Sequence, residues 1–128
     1  MILNTDGTKP IYMQIAEWLE TEILQGKFTP DEKIYSQYQL ADLFTINPAT
    51  AAKGLTLLAE EKILYKKRGL GMFVTQDAKK MIRHRRINQT LKKLVDEIVE
   101  EAEHLHVKEE ELITMIQEAK RNREGDAE

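Results

Sequence analysis

Three consecutive basic residues precede a pair of glycines near the middle of the chain. The segment reads Lys66, Lys67, Arg68, Gly69, Leu70 and Gly71. Cations attract phosphate, and glycines that can adopt positive φ let a backbone come close to a partner. Because β-prone runs flank the segment at 63–67 and 72–75, we predict a hairpin whose tip contacts a phosphate backbone or a narrow minor groove. Considered alone, the segment is equally compatible with a solvated basic turn.

A first helix is predicted well ahead of this hairpin, over residues 10–25. The apolar residues that recur there at steps of three and four are Ile11, Ile15, Trp18, Leu19 and Ile23. This spacing places them on one helix face, which we expect to lie in the core. Pro10 suits the first helical position and Gly26 suits the end, and 27–33 is predicted to be a loop.

Two further helices are predicted between that loop and the hairpin. Ser36 is a good N-cap, and Gln39 three residues later completes a capping box, so a short helix begins there and ends near Phe44. Asn47 and Pro48 then supply an N-cap and a first-turn proline for the next helix. About three residues join the two helices. This is the spacing of a helix-turn-helix, whose second helix can enter the major groove.

Three helices followed by a hairpin give the order of a winged helix. The predicted fold is therefore mostly α with a small β-hairpin wing. We place a winged helix-turn-helix DNA-binding domain at 1–77 and a helical dimerisation tail at 78–128.

The tail carries apolar residues at mostly alternating steps of three and four, followed by a final helix over about 108–121. This spacing places the apolar residues in a stripe along one helix face, and such a stripe is typical of a helix that packs against a partner helix. An intramolecular core between the two tail helices is the alternative, but such a pair has too little core for every apolar residue, so we expect a homodimer. The residues assigned to dimerisation are Ile87, Leu91, Leu94, Ile98, Leu105, Leu112 and Ile116.

Charge is divided along the chain. The formal net charge is −3, but residues 33–86 hold eleven basic and four acidic side chains, a net +7, and residues 87–128 hold six basic and twelve acidic ones, a net −6. A cationic middle suits a nucleic-acid surface, although two differently solvated faces would look the same. The basic group at 79–86 either touches flanking phosphates or keeps a linker soluble.

Several function classes are disfavoured by composition. The chain has no cysteine, so thiol catalysis, thiolate metal sites and disulfides are excluded. No apolar run approaches the roughly 20 residues that span a bilayer, and no signal peptide is recognisable, so we expect a cytoplasmic protein without membrane contact. His84, His104 and His106 lack partners at ligand spacing, so no metal or cofactor is expected. No nucleophile, base and acid cluster together, and no enzyme is predicted.

Four segments resemble the GntR family of bacterial regulators, and in particular its small YtrA-like subfamily. They are Pro10-Ile-Tyr with its helix, the segment 34–41, Asn47-Pro-Ala-Thr, and Gly69-Leu-Gly-Met-Phe-Val. The resemblance implies a sequence-specific transcription regulator that binds a palindromic operator in double-stranded DNA as a homodimer. It further implies a repressor of a transporter operon, with room for an unidentified small-molecule effector. A winged-helix protein docking module without specific DNA binding is the alternative.

The resemblance also implies roles for individual residues. The start of the second helix would touch phosphates, the start of the third would face the groove, and the wing would reach the minor groove. The residues so assigned are Ser36, Gln37, Tyr38, Asn47, Pro48, Ala49, Thr50, Lys53, Lys67, Arg68, Gly69 and Gly71.

The chain departs from the family pattern at positions that bear on DNA recognition. Tyr35 and Tyr38 stand where the broad family has proline and arginine, and Ala52 stands where much of it has arginine. Lys53 is then the only cation of the third helix. We therefore expect an operator that differs from those of better-known members. Gly54 in mid-helix costs roughly 1 kcal/mol relative to alanine.

Overall fold

The computed structural model describes residues 3–4 and 7–126 of the chain. It comprises two compact units, Met1–Arg85 and Arg86–Glu128. The elements of the first unit are α1 (Ile11–Leu24), α2 (Gln37–Phe44), α3 (Pro48–Glu60), β1 (Leu64–Lys67), β2 (Gly71–Val74) and α4 (Ala78–Arg85). This is the predicted winged helix-turn-helix order.

The core of the first unit lies where α1 crosses α3. The buried apolar residues that fill it include Ile15, Leu19, Ile23, Leu40, Leu55, Leu58, Ile63, Leu64, Val74 and Ile82. Gly54 permits the close approach of the two helices, because a Cβ at this position would lie 2.9 Å from the carbonyl oxygen of Tyr12. Trp18 packs against this core while remaining partly exposed.

The turn between α2 and α3 is fixed by local caps. The hydroxyl of Ser36 accepts a hydrogen bond from the Gln39 backbone, and the Gln39 side chain accepts one from the Ser36 backbone. This capping box confirms the predicted start of α2. The helix ends at Phe44, and the next residue, Thr45, turns the chain with a left-handed φ of 55°. Asn47 then caps α3, with Pro48 in the first turn as predicted.

The wing is an antiparallel hairpin in which Leu64 pairs with Val74 and Lys67 with Gly71. Val74 is buried, so one face of the hairpin closes the core. Residues 31–34 run alongside β2, and Lys33 forms an isolated antiparallel bridge with Phe73. The end of the loop predicted over 27–33 therefore runs like a third strand along the edge of the wing.

The first unit continues through α4, beyond the boundary that the sequence suggested after Asp77. Ala78 and Ile82 are both fully buried in its core. At the end of α4, Arg85 forms ion pairs with Glu20 of α1 and with Glu61 at the end of α3. Helix α4 therefore packs as part of the first unit, which ends at Arg85.

The second unit consists of a π-helical segment, Arg86–Leu91, followed by α5 (Lys92–His104) and α6 (Glu109–Asp126). Leu105 and the left-handed His106 form the turn between the two helices. The helices make little contact with each other. Among residues 86–125, only Ala102 is buried, so this unit has almost no core of its own.

Candidate nucleic-acid interface

Helix α3 buries one side and leaves the other free. Its buried residues are Ala51, Gly54, Leu55 and Leu58. On the opposite side Ala49, Lys53 and Thr56 are exposed. The free side bears small side chains near the helix start, so another surface can approach its backbone closely.

The start of α3 presents Asn47 and Ala49 to solvent, while Pro48 and Thr50 are half-buried. The Asn47 side-chain oxygen accepts a hydrogen bond from the Ala49 backbone at 2.8 Å. The cap uses one of the two lone pairs of the Asn47 amide oxygen and fixes the orientation of the side chain, and its NH₂ group can donate to a base or a phosphate. Small residues at a helix N-terminus also suit close approach to an anion.

Lys53 points towards α1. Its Nζ lies 4.2 Å from the centroid of the Tyr12 ring, which is a cation–π distance. The cation expected on α3 is thus exposed, but its ammonium group is held beside Tyr12.

The start of α2 offers a hydroxyl and an aromatic side chain. The Ser36 hydroxyl accepts from the Gln39 N–H at 3.1 Å, which leaves its own proton free to donate. Gln37 is half-buried, and Tyr38 is 67% exposed. Among the residues predicted here to touch phosphate, Tyr38 is therefore the most accessible.

The tip of the wing is fully open to solvent. Lys66, Lys67 and Arg68 are exposed, and Leu70 between the two glycines is 60% exposed. Gly69 and Gly71 have φ values of 77° and 111°, which confirms the conformational reason for glycine at both positions.

Aromatic stacking stiffens the outer face of the wing. The rings of Tyr65 and Phe73 are stacked with centroids 5.9 Å apart, and the Nζ of Lys67 lies 4.5 Å from the Phe73 centroid. The Tyr65 hydroxyl donates to Asp31 at 2.7 Å, and the Gln76 amide donates to the same carboxylate at 2.6 Å. These two hydrogen bonds lower the pKa of Asp31 and keep it ionised, and the bond to Asp31 raises the pKa of Tyr65.

Lys33 joins the wing, although its position in the sequence predicts no more than a share in the cationic middle of the chain. Its bridge to Phe73 places it on the same face as Lys67. The only sequence signal was its positive charge, because it lies in a stretch without periodicity and 34 positions away from Lys67.

The basic residues of α4 fall into two groups. Lys79, Lys80 and Arg83 are exposed, whereas Arg85 is engaged by Glu20 and Glu61. Arg85 therefore stabilises the fold and contributes little free positive charge to the surface.

Within residues 3–4 and 7–126 no group of three or more histidine or acidic side chains is arranged to hold a metal ion. In the same part of the chain, no helix combines the length and apolar character needed to cross a membrane.

The first unit thus carries a helix-turn-helix, an exposed face on its second helix, α3, and a basic wing, which define a winged helix-turn-helix protein. The family model for bacterial regulatory proteins, gntR family, matches residues 11–74, half of the chain. The chain belongs to this family.

Relatives and solved structures agree with this assignment. The transcriptional repressor YtrA of Bacillus subtilis is 28% identical over 116 residues, 91% of this chain and 88% of YtrA. NagR, a transcriptional repressor of the same organism, is 37% identical over 76 residues, 59% of this chain, but the match spans only 31% of NagR.

Two solved structures bear on the fold and on DNA binding. A GntR family transcriptional regulator from Listeria monocytogenes matches with a TM-score of 0.74 and 32% identity, over 88% of this chain and 97% of that one. AraR(DBD), solved in complex with operator ORX1, matches with a TM-score of 0.54 and 30% identity, over 59% of this chain and 95% of that one. The first unit is therefore the DNA-binding domain of a transcription regulator, and the docking-module alternative is disfavoured.

Proposed function

We propose that the protein is a homodimeric repressor that binds a palindromic operator through its first unit and dimerises through residues 86–126. The main support for a dimer is the exposed apolar surface of the second unit. Nine large apolar side chains of this unit are between 39% and 54% exposed and a tenth, Leu105, is 65% exposed.

A second copy of the chain is the partner that best fits this surface. In α5 the residues Leu94, Val95, Ile98 and Val99 share one face, and the acidic residues between them lie on the opposite face. An amphipathic helix with no core of its own needs a partner to bury its apolar side. A two-fold dimer buries the same patch on both copies, and it also matches the symmetry of a palindromic site.

Of the seven residues assigned to dimerisation, six are exposed and Leu112 is half-buried. This exposure is compatible with their proposed role. The π-helical turn at 86–91 places Ile87 and Leu91 outside the regular spacing of α5, so we centre the interface on Leu94 and Ile98.

DNA contact follows from the surface of the first unit. The start of α3 would enter the major groove, α2 would meet the phosphates beside it, and the wing would reach the adjacent minor groove. Two copies would occupy half-sites about one helical turn apart. Repression is supported by the names of YtrA and NagR, both described as repressors. On the family resemblance, we further propose that the repressed genes are a transporter operon and that an unidentified small molecule acts as effector. We also propose that the protein acts in the cytoplasm and is not an enzyme.

The dimer is tested by light scattering after size exclusion, together with fluorescence anisotropy against the duplex upstream of the gene. We expect wild-type protein to be dimeric and to bind selectively over a scrambled duplex. Leu94→Glu with Ile98→Glu should give a folded monomer that binds at least tenfold more weakly. Gln89→Glu, which adds one negative charge at an exposed polar position of the same unit, is the control and should remain dimeric.

Truncation after Arg85 gives a second test, because the first unit has its own core. The truncated protein should be a folded monomer with poor operator affinity. A dimeric truncated protein, or a monomeric wild type, would refute the role assigned to the second unit. Dimeric wild type that does not discriminate between the two duplexes would refute the proposed operator.

A further inference from the structure

Three backbone hydrogen bonds fix residues 31–34 along the edge of β2. The Asp31 N–H donates to the Val74 carbonyl at 2.7 Å, the Val74 N–H to the Glu32 carbonyl at 2.9 Å, and the Ile34 N–H to the Met72 carbonyl at 3.0 Å. Ile34 is buried, which anchors the segment further. The backbone of Lys33, between these contacts, is therefore held in place before any partner arrives.

The side chain of Lys33 lies across Gly71 on the outer face of the wing. A Cβ added to Gly71 would lie 3.0 Å from Cε of Lys33 and 3.7 Å from its Nζ. Strand alternation sends Val74 and Met72 to the core side and leaves Phe73 and Gly71 on the outer side. The absence of a side chain at Gly71 thus makes room for the lysine stem.

Lys67 supplies a second cation on the same face. It is the strand partner of Gly71, and its Nζ rests over the Phe73 ring. The two carboxylates in residues 31–34 accept hydrogen bonds from neutral groups: Asp31 accepts from Tyr65 and Gln76, and Glu32 accepts from Thr29. Within the part of the chain that the structure describes, neither lysine forms an ion pair, although Lys67 is near enough to Asp31 to help lower the pKa of that carboxyl.

We propose that Lys33 is a DNA-contacting residue of the wing and that it binds a backbone phosphodiester beside the one bound by Lys67. Residues 31–34 and the hairpin together then form a backbone-binding surface, with one lysine from each. The inference rests on DNA binding by the first unit, but it does not require the dimer. Because phosphate contacts carry no sequence information, this surface adds affinity for every duplex alike.

The test uses the full-length protein and a 30-base-pair duplex of mixed sequence, titrated by fluorescence anisotropy at several salt concentrations. Losing one phosphate contact should reduce the slope of log K against log salt concentration by about 0.9 for each bound protomer. We expect this reduction for Lys33→Gln, with affinity roughly 3- to 10-fold lower at 0.1 M salt. Lys33→Arg should restore the wild-type slope.

Lys27→Gln is the matched control, because Lys27 lies in the same connection but pairs with Glu22 at 3.0 Å. Its slope should equal that of wild type. Lys67→Gln should lower the slope as Lys33→Gln does, and the double variant should show the sum of the two reductions. Thermal melts confirm that each variant is folded.

An unchanged slope in folded Lys33→Gln would overturn the proposal. So would a reduction of the same size in Lys27→Gln, since it would reflect net charge and not position. The salt slope is expressed per bound protomer and therefore does not depend on whether the protein is a dimer. A failure of the dimer proposal would appear instead in the number of protomers measured by light scattering.

Discussion

Replacement of Gly54 by alanine tests the packing that orients α3 against α1. In an isolated helix this change is favourable by roughly 1 kcal/mol. In this protein the new Cβ would lie 2.9 Å from the Tyr12 carbonyl oxygen and 3.3 Å from Cγ2 of Ile15. The Ile15 side chain is completely buried, and a backbone carbonyl in α1 cannot rotate away, so α1 and α3 must move apart.

The magnitude follows from two opposing effects. Overpacking a core costs about 1–3 kcal/mol, and we expect the upper part of this range because one clashing atom belongs to the backbone. After subtraction of the gain in helix propensity, the free energy of unfolding should fall by about 1–2 kcal/mol. Each kcal/mol should lower the Tm by about 4–8 °C for a unit of this size.

Urea denaturation followed by circular dichroism measures the change in the free energy of unfolding. Gly125→Ala is the matched control: Gly125 is also helical, but a Cβ there would meet nothing within 4 Å, so no loss is expected. The same preparation of Gly54→Ala should bind DNA more weakly, since α3 is displaced. If Gly54→Ala were as stable as wild type or more stable, the clash would be refuted as the reason for glycine at this position.

Three further predictions concern single contacts. Arg85→Ala leaves the buried Glu20 without this ion-pair partner and should lower the free energy of unfolding, measured by urea denaturation, by about 3 kcal/mol. This is the lower end of the range for a buried ion pair, because Arg85 is partly exposed. A loss below about 1 kcal/mol would contradict the prediction. Ser36→Ala removes the cap of α2 and should cost about 1 kcal/mol in the same assay, whereas an unchanged midpoint would show that the cap is dispensable. Tyr65 and Gln76 depress the pKa of Asp31 below its ordinary value of 3.8, so its contribution is present above that value and lost as the pH falls through the lower folded pKa. The stability difference between wild type and Asp31→Asn, compared at pH 6 and pH 3, should therefore shrink at pH 3, and a constant difference would refute the linkage.

Local signals in the sequence were sufficient for most of the winged helix. Three of these signals act within a few residues: the capping box at Ser36, the Asn47-Pro48 start of α3 and the two glycines of the wing. Their effect on the backbone conformation can therefore be predicted from the sequence alone. The same holds for the family motifs, which lie within these elements. Dimerisation through the tail remains a prediction, because the apolar spacing shows that a partner is needed but not which one.

Tertiary structure decided what depends on contacts between distant segments. Gly54 looks merely unfavourable in the sequence, and only the crossing of α1 and α3 gives its reason. The place of α4 in the first unit depends on burial of Ala78 and Ile82, which a boundary drawn from helical spacing could not detect. The π-helical turn at Arg86–Leu91 likewise interrupts a seam that appears regular in the sequence.

The same division applies to the proposed DNA-binding surface. The sequence by itself determined which segments present cations and helix starts, because charge and capping are local properties. Only the fold brought Lys33 onto Gly71 beside Lys67 and turned Lys53 towards Tyr12. Those contacts join residues far apart in the chain, and their geometry is set by strand register and helix packing, which no spacing of residues specifies.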